Sequence, residues 1–171
     1  MQTAAHHPSL DGLSKAHADI IAHLFHLSAL GYASPRDVHA CEQARQTIAF
    51  FRNTVLSHHH TEEKRLFPMV QAAASPGAER EYVDTLVHKL TAEHRKIETL
   101  WNALEAMLNA MLNGRTDPAM DAHIQSLVLD YGDHASEEES KFLPLCHEIL
   151  RRGNPQFNES ELLHAHFPAA A

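Results

Sequence analysis

The segment HHHTEEKRLFP, residues 58–68, returns as HASEEESKFLP at residues 134–144, 76 positions later. Aligned on their Leu-Phe-Pro and Phe-Leu-Pro endings, the two segments place His58 over His134 and Glu62 over Glu138. Upstream of each, His17 lies 77 residues before His94, so a set of two His and one Glu occurs twice. One half of the chain therefore reads as a duplicate of the other. Imidazole nitrogens and carboxylate oxygens are the donors that suit iron, manganese and zinc. The doubled set accordingly predicts two metals related by a pseudo-two-fold axis.

Apolar residues recur every three or four positions over long stretches, Gly is scarce and strand-like alternation is absent, which predicts an all-α domain. Ser34-Pro35, Ser75-Pro76 and Asp117-Pro118 each offer a side-chain acceptor for an N-cap and a proline for the first helical position. Gly31 and Asn113-Gly114 supply stops. The expected helices are 10–30, 36–74, 77–112 and 118–152, forming one domain over 10–152 with a loose tail at 153–171. Pro68 and Pro144 fall inside the second and fourth helices, where each removes a backbone donor and should bend or break the helix.

Each helix carries one apolar seam, and the ligand-type residues sit on it. The second reads Ile48, Phe51, Val55, His58, Glu62, Leu66, Met69, and the fourth Ile124, Leu127, Tyr131, His134, Glu138, Phe142, Leu145. The first reads Leu13, His17, Ile20, Leu24, Leu27, and the third Leu90, His94, Ile97, Trp101, Leu104. Facing one axis, the seams would bury four His and two Glu in a hydrocarbon core, where an unpaired carboxylate costs several kcal/mol. No Lys or Arg shares the seams to neutralise the glutamates, so a metal is the expected counter-charge. The spacing of four residues in His58/Glu62 and His134/Glu138 puts both donors of each pair on one helix face. The expected arrangement has His17 and His58 on one metal, His94 and His134 on the other, and Glu62 and Glu138 bridging.

His59 and Glu63 share that spacing and make the register ambiguous. The repeat selects His58 and Glu62, leaving His59, Glu63 and Glu139 as flanking residues, solvated or behind the ligands. Glu98, one turn after His94, is a candidate further ligand or a group behind the ligands. Tyr131, opposite Val55 in the repeat, is a candidate hydrogen-bonding group beside the centre or else a buried core Tyr with its hydroxyl at the rim, and Trp101 reads as packing. His123 reads as a core or rim histidine, His39 lies off the seam, and His23, His26, His88 and His147 default to surface or hydrogen-bonded histidines. His6, His7, His164 and His166 occupy ends without periodicity.

Composition narrows the function classes. The 171 residues carry 14 Lys plus Arg and a formal charge of −8, which argues against a nucleic-acid or anionic-membrane surface. No apolar run approaches the about 20 residues that span a bilayer, and the start has neither a basic nor an apolar leader region. A cytoplasmic protein is the expectation. Cys41 and Cys146 are far apart and read as reduced thiols.

The two segments at His58 and His134, with HADI at His17 and EHRKI at Glu93, resemble the hemerythrin-like HHE cation-binding domain over roughly residues 10–150. The resemblance implies an up-down-up-down antiparallel four-helix bundle, built from two pseudo-repeated helical hairpins, around a non-haem di-iron centre. Its ligands would be His17, His58, Glu62, His94, His134 and Glu138. The expected cofactor is a pair of iron ions with an oxo or hydroxo bridge, manganese or zinc being alternatives. Oxygen-carrying hemerythrins have an additional His where this chain has Leu90, and an Asp where it has Glu138. Two His and one oxygen from each bridging Glu give each metal four protein donors, leaving up to two open positions on both.

The expected partner is therefore a small diatomic ligand, oxygen or nitric oxide, or peroxide, with a homodimer as a further expectation. Three function classes follow. One is a binding or sensing module for oxygen, nitric oxide or iron. Another is a di-iron enzyme that reduces nitric oxide or peroxide or repairs iron centres. The last is a metal-free helical interaction module.

Overall fold

The computed structural model describes residues 11–153. His6, His7, His164, His166 and the expected tail, save Gly153, lie outside the described residues. The structure is all-helical there, with no strand among the described residues. Helix α1 is Asp11–Leu27, continued by a 3-10 turn at Ser28–Tyr32. Helix α2 runs over 38–73, α3 is Ala78–Leu112, and α4 runs over 120–153. These rods pack against one another as a helical bundle.

The three proline signals mark the starts, but each helix begins slightly later than expected. Pro35 sits at the second position of a β-turn closed by Asp37 N–H donating to Ser34 O at 2.9 Å. Asp37, rather than Ser34, then caps α2, its carboxylate accepting from the backbone N–H of His39 and Ala40. Met120 N–H closes the same turn on Asp117 O at 3.2 Å, and α3 is preceded by Gly77 at φ 97°. Proline's fixed φ suits the second position of such a turn as well as the first residue of a helix. Gly31 does not end α1 but lies within the 3-10 turn. A Cβ there would collide with the Asp121 side chain of α4.

Pro68 and Pro144 neither break nor end their helices. Each follows a π turn, Glu62–Leu66 in α2 and Glu138–Phe142 in α4. In these, Phe67 N–H donates to Glu62 O and Leu143 N–H to Glu138 O, five residues back instead of four. The wider turn supplies the room that a ring without an N–H demands from the preceding carbonyls. The extra residue also rotates everything beyond it by about 100°. Val70 and Cys146 are therefore buried where Met69 and Leu145 were expected. A further π turn, Phe51–Val55, lies earlier in α2.

Two apolar clusters hold the bundle together with a polar layer between them. One gathers Leu24, Phe51, Val55, Trp101, Leu127 and Tyr131. The other gathers Leu13, Phe67, Val70, Leu90, Phe142 and Cys146. Each seam reads apolar, then His, then apolar, so helix packing brings the ligand-type residues to one level. Trp101 stacks on Phe51 with ring centroids 3.9 Å apart, which bears out its packing role. Cys41 and Cys146 form no disulfide. No described helix is long and apolar enough to cross a membrane.

Candidate metal centre

All six sequence-predicted donors are buried in the polar layer. They fall into two groups whose donor atoms lie within 4.8 Å of one another: His17, His58, Glu62 and Glu138; and His94 and His134 with His59. Within the first, His58 Nε2 is 2.9 Å from His17 Nε2 and 2.9 Å from Glu62 Oε1. The other oxygen of Glu62 faces His94 Nε2 at 3.4 Å, in the second group. Glu138 Oε2 lies 3.3 Å from His17 Nε2 and 3.7 Å from His134 Nε2. Both carboxylates thus stand between the groups. The crossed contacts Glu62/His94 and Glu138/His17 are repeat-equivalents at nearly equal distance, as a pseudo-two-fold requires.

Behind the imidazoles stands a ring of outer carboxylates. His17 Nδ1 is 3.2 Å from Glu139, His94 Nδ1 2.8 Å from Glu63, and His134 Nδ1 3.2 Å from Glu93. A neutral imidazole that donates from Nδ1 turns the lone pair of Nε2 inward, the tautomer a metal ligand needs. Arg95 in turn holds Glu63 and Glu98, and Lys89 holds Glu93 at 3.7 Å and Glu137 at 2.7 Å. The roles of Glu63 and Glu139 follow the expectation for flanking residues. Glu93 was not singled out by sequence reasoning, because its repeat-equivalent is Ala16 and no symmetry marks it.

His59 is the main departure. Expected as a flanking residue, it is only 1% exposed, stacks on His94 at 3.9 Å and belongs to the second donor group. Inside the short helical stretch Leu56–Thr61, flanked by π turns, two adjacent histidines face inward. An α-helical seam projection has no place for that. Glu98 is not brought among the donors; it stands 3.7 Å from His59 Nδ1, behind the ring. Tyr131 is fully buried, its ring centroid 5.9 Å from that of His134 and 6.4 Å from that of His17, and its hydroxyl has no hydrogen-bond partner. Of the remaining histidines, His123 is half-buried with Nδ1 3.0 Å from Ala119 O, and His23 stacks on Phe50. His26, His39 and His88 are exposed, as expected, and His147 is half-buried.

The model of the hemerythrin HHE cation-binding domain matches residues 9–146. The chain belongs to the hemerythrin family. No curated protein matches it, and no solved structure does. A hemerythrin domain binds metal cations, and the donors here fit that role. The inward Nε2 atoms of His59, His94 and His134 and all four oxygens of Glu62 and Glu138 are buried without a hydrogen-bond partner. Buried polar atoms are almost always paired, and metal cations bound among these donors would give them partners.

Electrostatics in the metal-free hemerythrin domain show the cost of that layer. Burial, with the charge of Glu138 beside it, pushes the Glu62 carboxyl well above the ordinary range. Burial acts against charge on His17 as well, but the facing Glu138 and the nearby Glu62 and Glu139 outweigh it and raise His17 to about 9. The reciprocal contact with His17 holds Glu138 below its ordinary value in spite of burial. Burial lowers His58 to about 3 and His59 to about 4, and drives His94 down too.

These shifts have opposite consequences on the two sides of neutrality. Below about pH 6.5 the unfolded chain takes up protons that buried His58 and His59 refuse. Stability of the metal-free protein therefore drains as pH falls toward 4, by on the order of 1.4 kcal/mol per pH unit per histidine. The contribution of His17 has the other sign, being full below its unfolded pKa and lost as pH rises through about 9. Denaturant unfolding of chelator-treated protein should give greatest stability near pH 7, with lower values at about pH 5 and about pH 9. A flat profile would contradict the buried placement of these groups.

Proposed function

We propose that this hemerythrin domain holds two iron ions and that the centre binds or reacts with a small diatomic ligand, oxygen or nitric oxide, or with peroxide. The observation that carries the reading is Glu62, whose two oxygens each face an Nε2 of a different donor group. Nitrogen-rich donor sets with bridging carboxylates suit iron, and four-helix bundles hold dinuclear sites between facing helices. An up-down-up-down order of the helices belongs to the same proposal. It is supported by α3 and α4 pairing Glu79 with Arg152, Lys89 with Glu137 and Lys96 with Asp130, one ascending as the other descends.

Iron bound there supplies one-electron redox chemistry and open coordination positions for a small ligand. The chain supplies the rest. His17 and His58 would hold one side, His94 and His134 the other, and Glu62 and Glu138, each facing histidines of both groups, would serve both. Glu139, Glu63 and Glu93 keep the proton on Nδ1 of the histidine each one backs. Apolar clusters above and below exclude bulk water. Tyr131, whose burial and nearby carboxylates keep its hydroxyl protonated, offers a donor without a partner at the edge of the centre.

The test is to mix the iron-loaded, reduced protein anaerobically with oxygen, peroxide and nitric oxide in turn and follow the optical spectrum. A stable adduct identifies a binding or sensing centre, and multiple turnovers with added reductant identify an enzyme. No spectral response to any of the three would end the proposal.

A further inference from the structure

We infer that His59 is a fifth histidine ligand, so that the two metals are held unequally: His59, His94 and His134 on one, His17 and His58 on the other. The inference rests on the dinuclear reading above and departs from the equal openness expected of a symmetric site.

Packing does not call for a histidine at this position. Its repeat-equivalent, Ala135, is buried in the corresponding place in α4. His59 is nonetheless buried with neither ring nitrogen in a hydrogen bond, an unfavourable state for an imidazole that only fills space. Its donor atom lies within 4.8 Å of those of His94 and His134, with no carboxylate in that group. Its outer nitrogen faces a carboxylate, Glu98, as those of His17, His94 and His134 face theirs.

Glu98 is also asymmetric, its repeat-equivalent being Ile21. One guanidinium, Arg95, grips both Glu98 and Glu63, and so steadies the supports of His59 and His94 together. On the other side His58 has Ala16 where His134 has Glu93. Two imidazoles held by carboxylates, His94 and His134, and a third, His59, facing Glu98 at 3.7 Å therefore serve one metal, and a single carboxylate-held one, His17, the other. Orienting carboxylates raise ligand basicity and affinity, so the His59 side is the tighter. With one oxygen from each glutamate it has five protein donors and one open octahedral position, whereas the His17/His58 side has four donors and two. Exogenous ligand is thereby directed to the His17/His58 side.

The experiment adds ferrous iron anaerobically to chelator-stripped protein, desalts it and measures retained iron per chain, with circular dichroism as the check on folding. Wild type and His60→Gln, an exposed neighbour, should retain two. His59→Gln should bind the iron of the His94/His134 side at least about 10-fold more weakly than wild type does, so that the tighter of the two classes disappears from the ferrous titration. Retention of both by His59→Gln at wild-type affinity overturns the inference and leaves the dinuclear reading standing. Fewer than two in wild type overturns both.

A second measurement needs no variant. In cobalt(II)-loaded wild type, each ligating imidazole contributes one paramagnetically shifted, exchangeable N–H resonance. One signal is expected from each of His17, His58, His59, His94 and His134. A spectrum with only the four signals of the symmetric set overturns the inference.

Discussion

Glu62→Ala is expected to empty both halves of the centre, leaving less than one metal per chain after desalting where wild type retains two. The carboxylate faces His58 Nε2 through one oxygen and His94 Nε2 through the other, so its removal takes a donor from each group at once. Loss of a mere outer partner costs about 10- to 100-fold in metal affinity, and a shared direct ligand should cost more at both positions. The effect on stability depends on metal. Loaded wild type should be far more stable than the variant, but under chelation the gap should shrink, because the acid removed is one whose burial was itself unfavourable. Glu62→Gln, of nearly the same shape, should lose metal alike and guards against a packing explanation. If Glu62→Ala retains two metals, Glu62 is not a bridge.

Stripping the metal from wild type is the second large effect. A ligand at a thousand times its dissociation constant stabilises the fold by about 4 kcal/mol. For a domain of this size that corresponds to a Tm about 8–16 °C lower for each metal removed. The physical source is the polar layer. Metal-free, it leaves Glu62 and Glu138 oxygens and three Nε2 atoms buried without partners, between two apolar clusters. Calorimetry with and without chelator measures the shift. An unchanged Tm would mean that the layer satisfies itself without a cation.

Much of this molecule was legible in its residues, for identifiable reasons. The repeat at offsets of 76 and 77 picked out the six symmetric donors because duplication preserves spacing, and helical periodicity put each on a seam. The prolines at 35, 76 and 118 marked the helix starts to within a few residues. Asp37 rather than Ser34 serves as cap because the turn around Pro35 is completed before the helix opens. Met69 and Leu145 were misplaced for one shared reason: a π turn before each proline adds a residue, which a fixed helical period cannot anticipate. Symmetry also concealed what breaks it. Glu93, Glu98 and His59 stand opposite Ala16, Ile21 and Ala135, so a comparison of halves passes over them.

The amino-acid order was enough to establish an all-helical chain, the duplicated His, His and Glu set and the layer those residues must share, since each follows from spacing along a helix of known pitch. The partner of each imidazole's outer nitrogen, the reach of Glu62 across both groups and the inward turn of His59 depended on how four helices pack. Those contacts join residues far apart in the chain, and local π turns rotate the faces that meet. Spacing along one helix does not encode rotation between helices, and that rotation sets a third histidine beside His94 and His134.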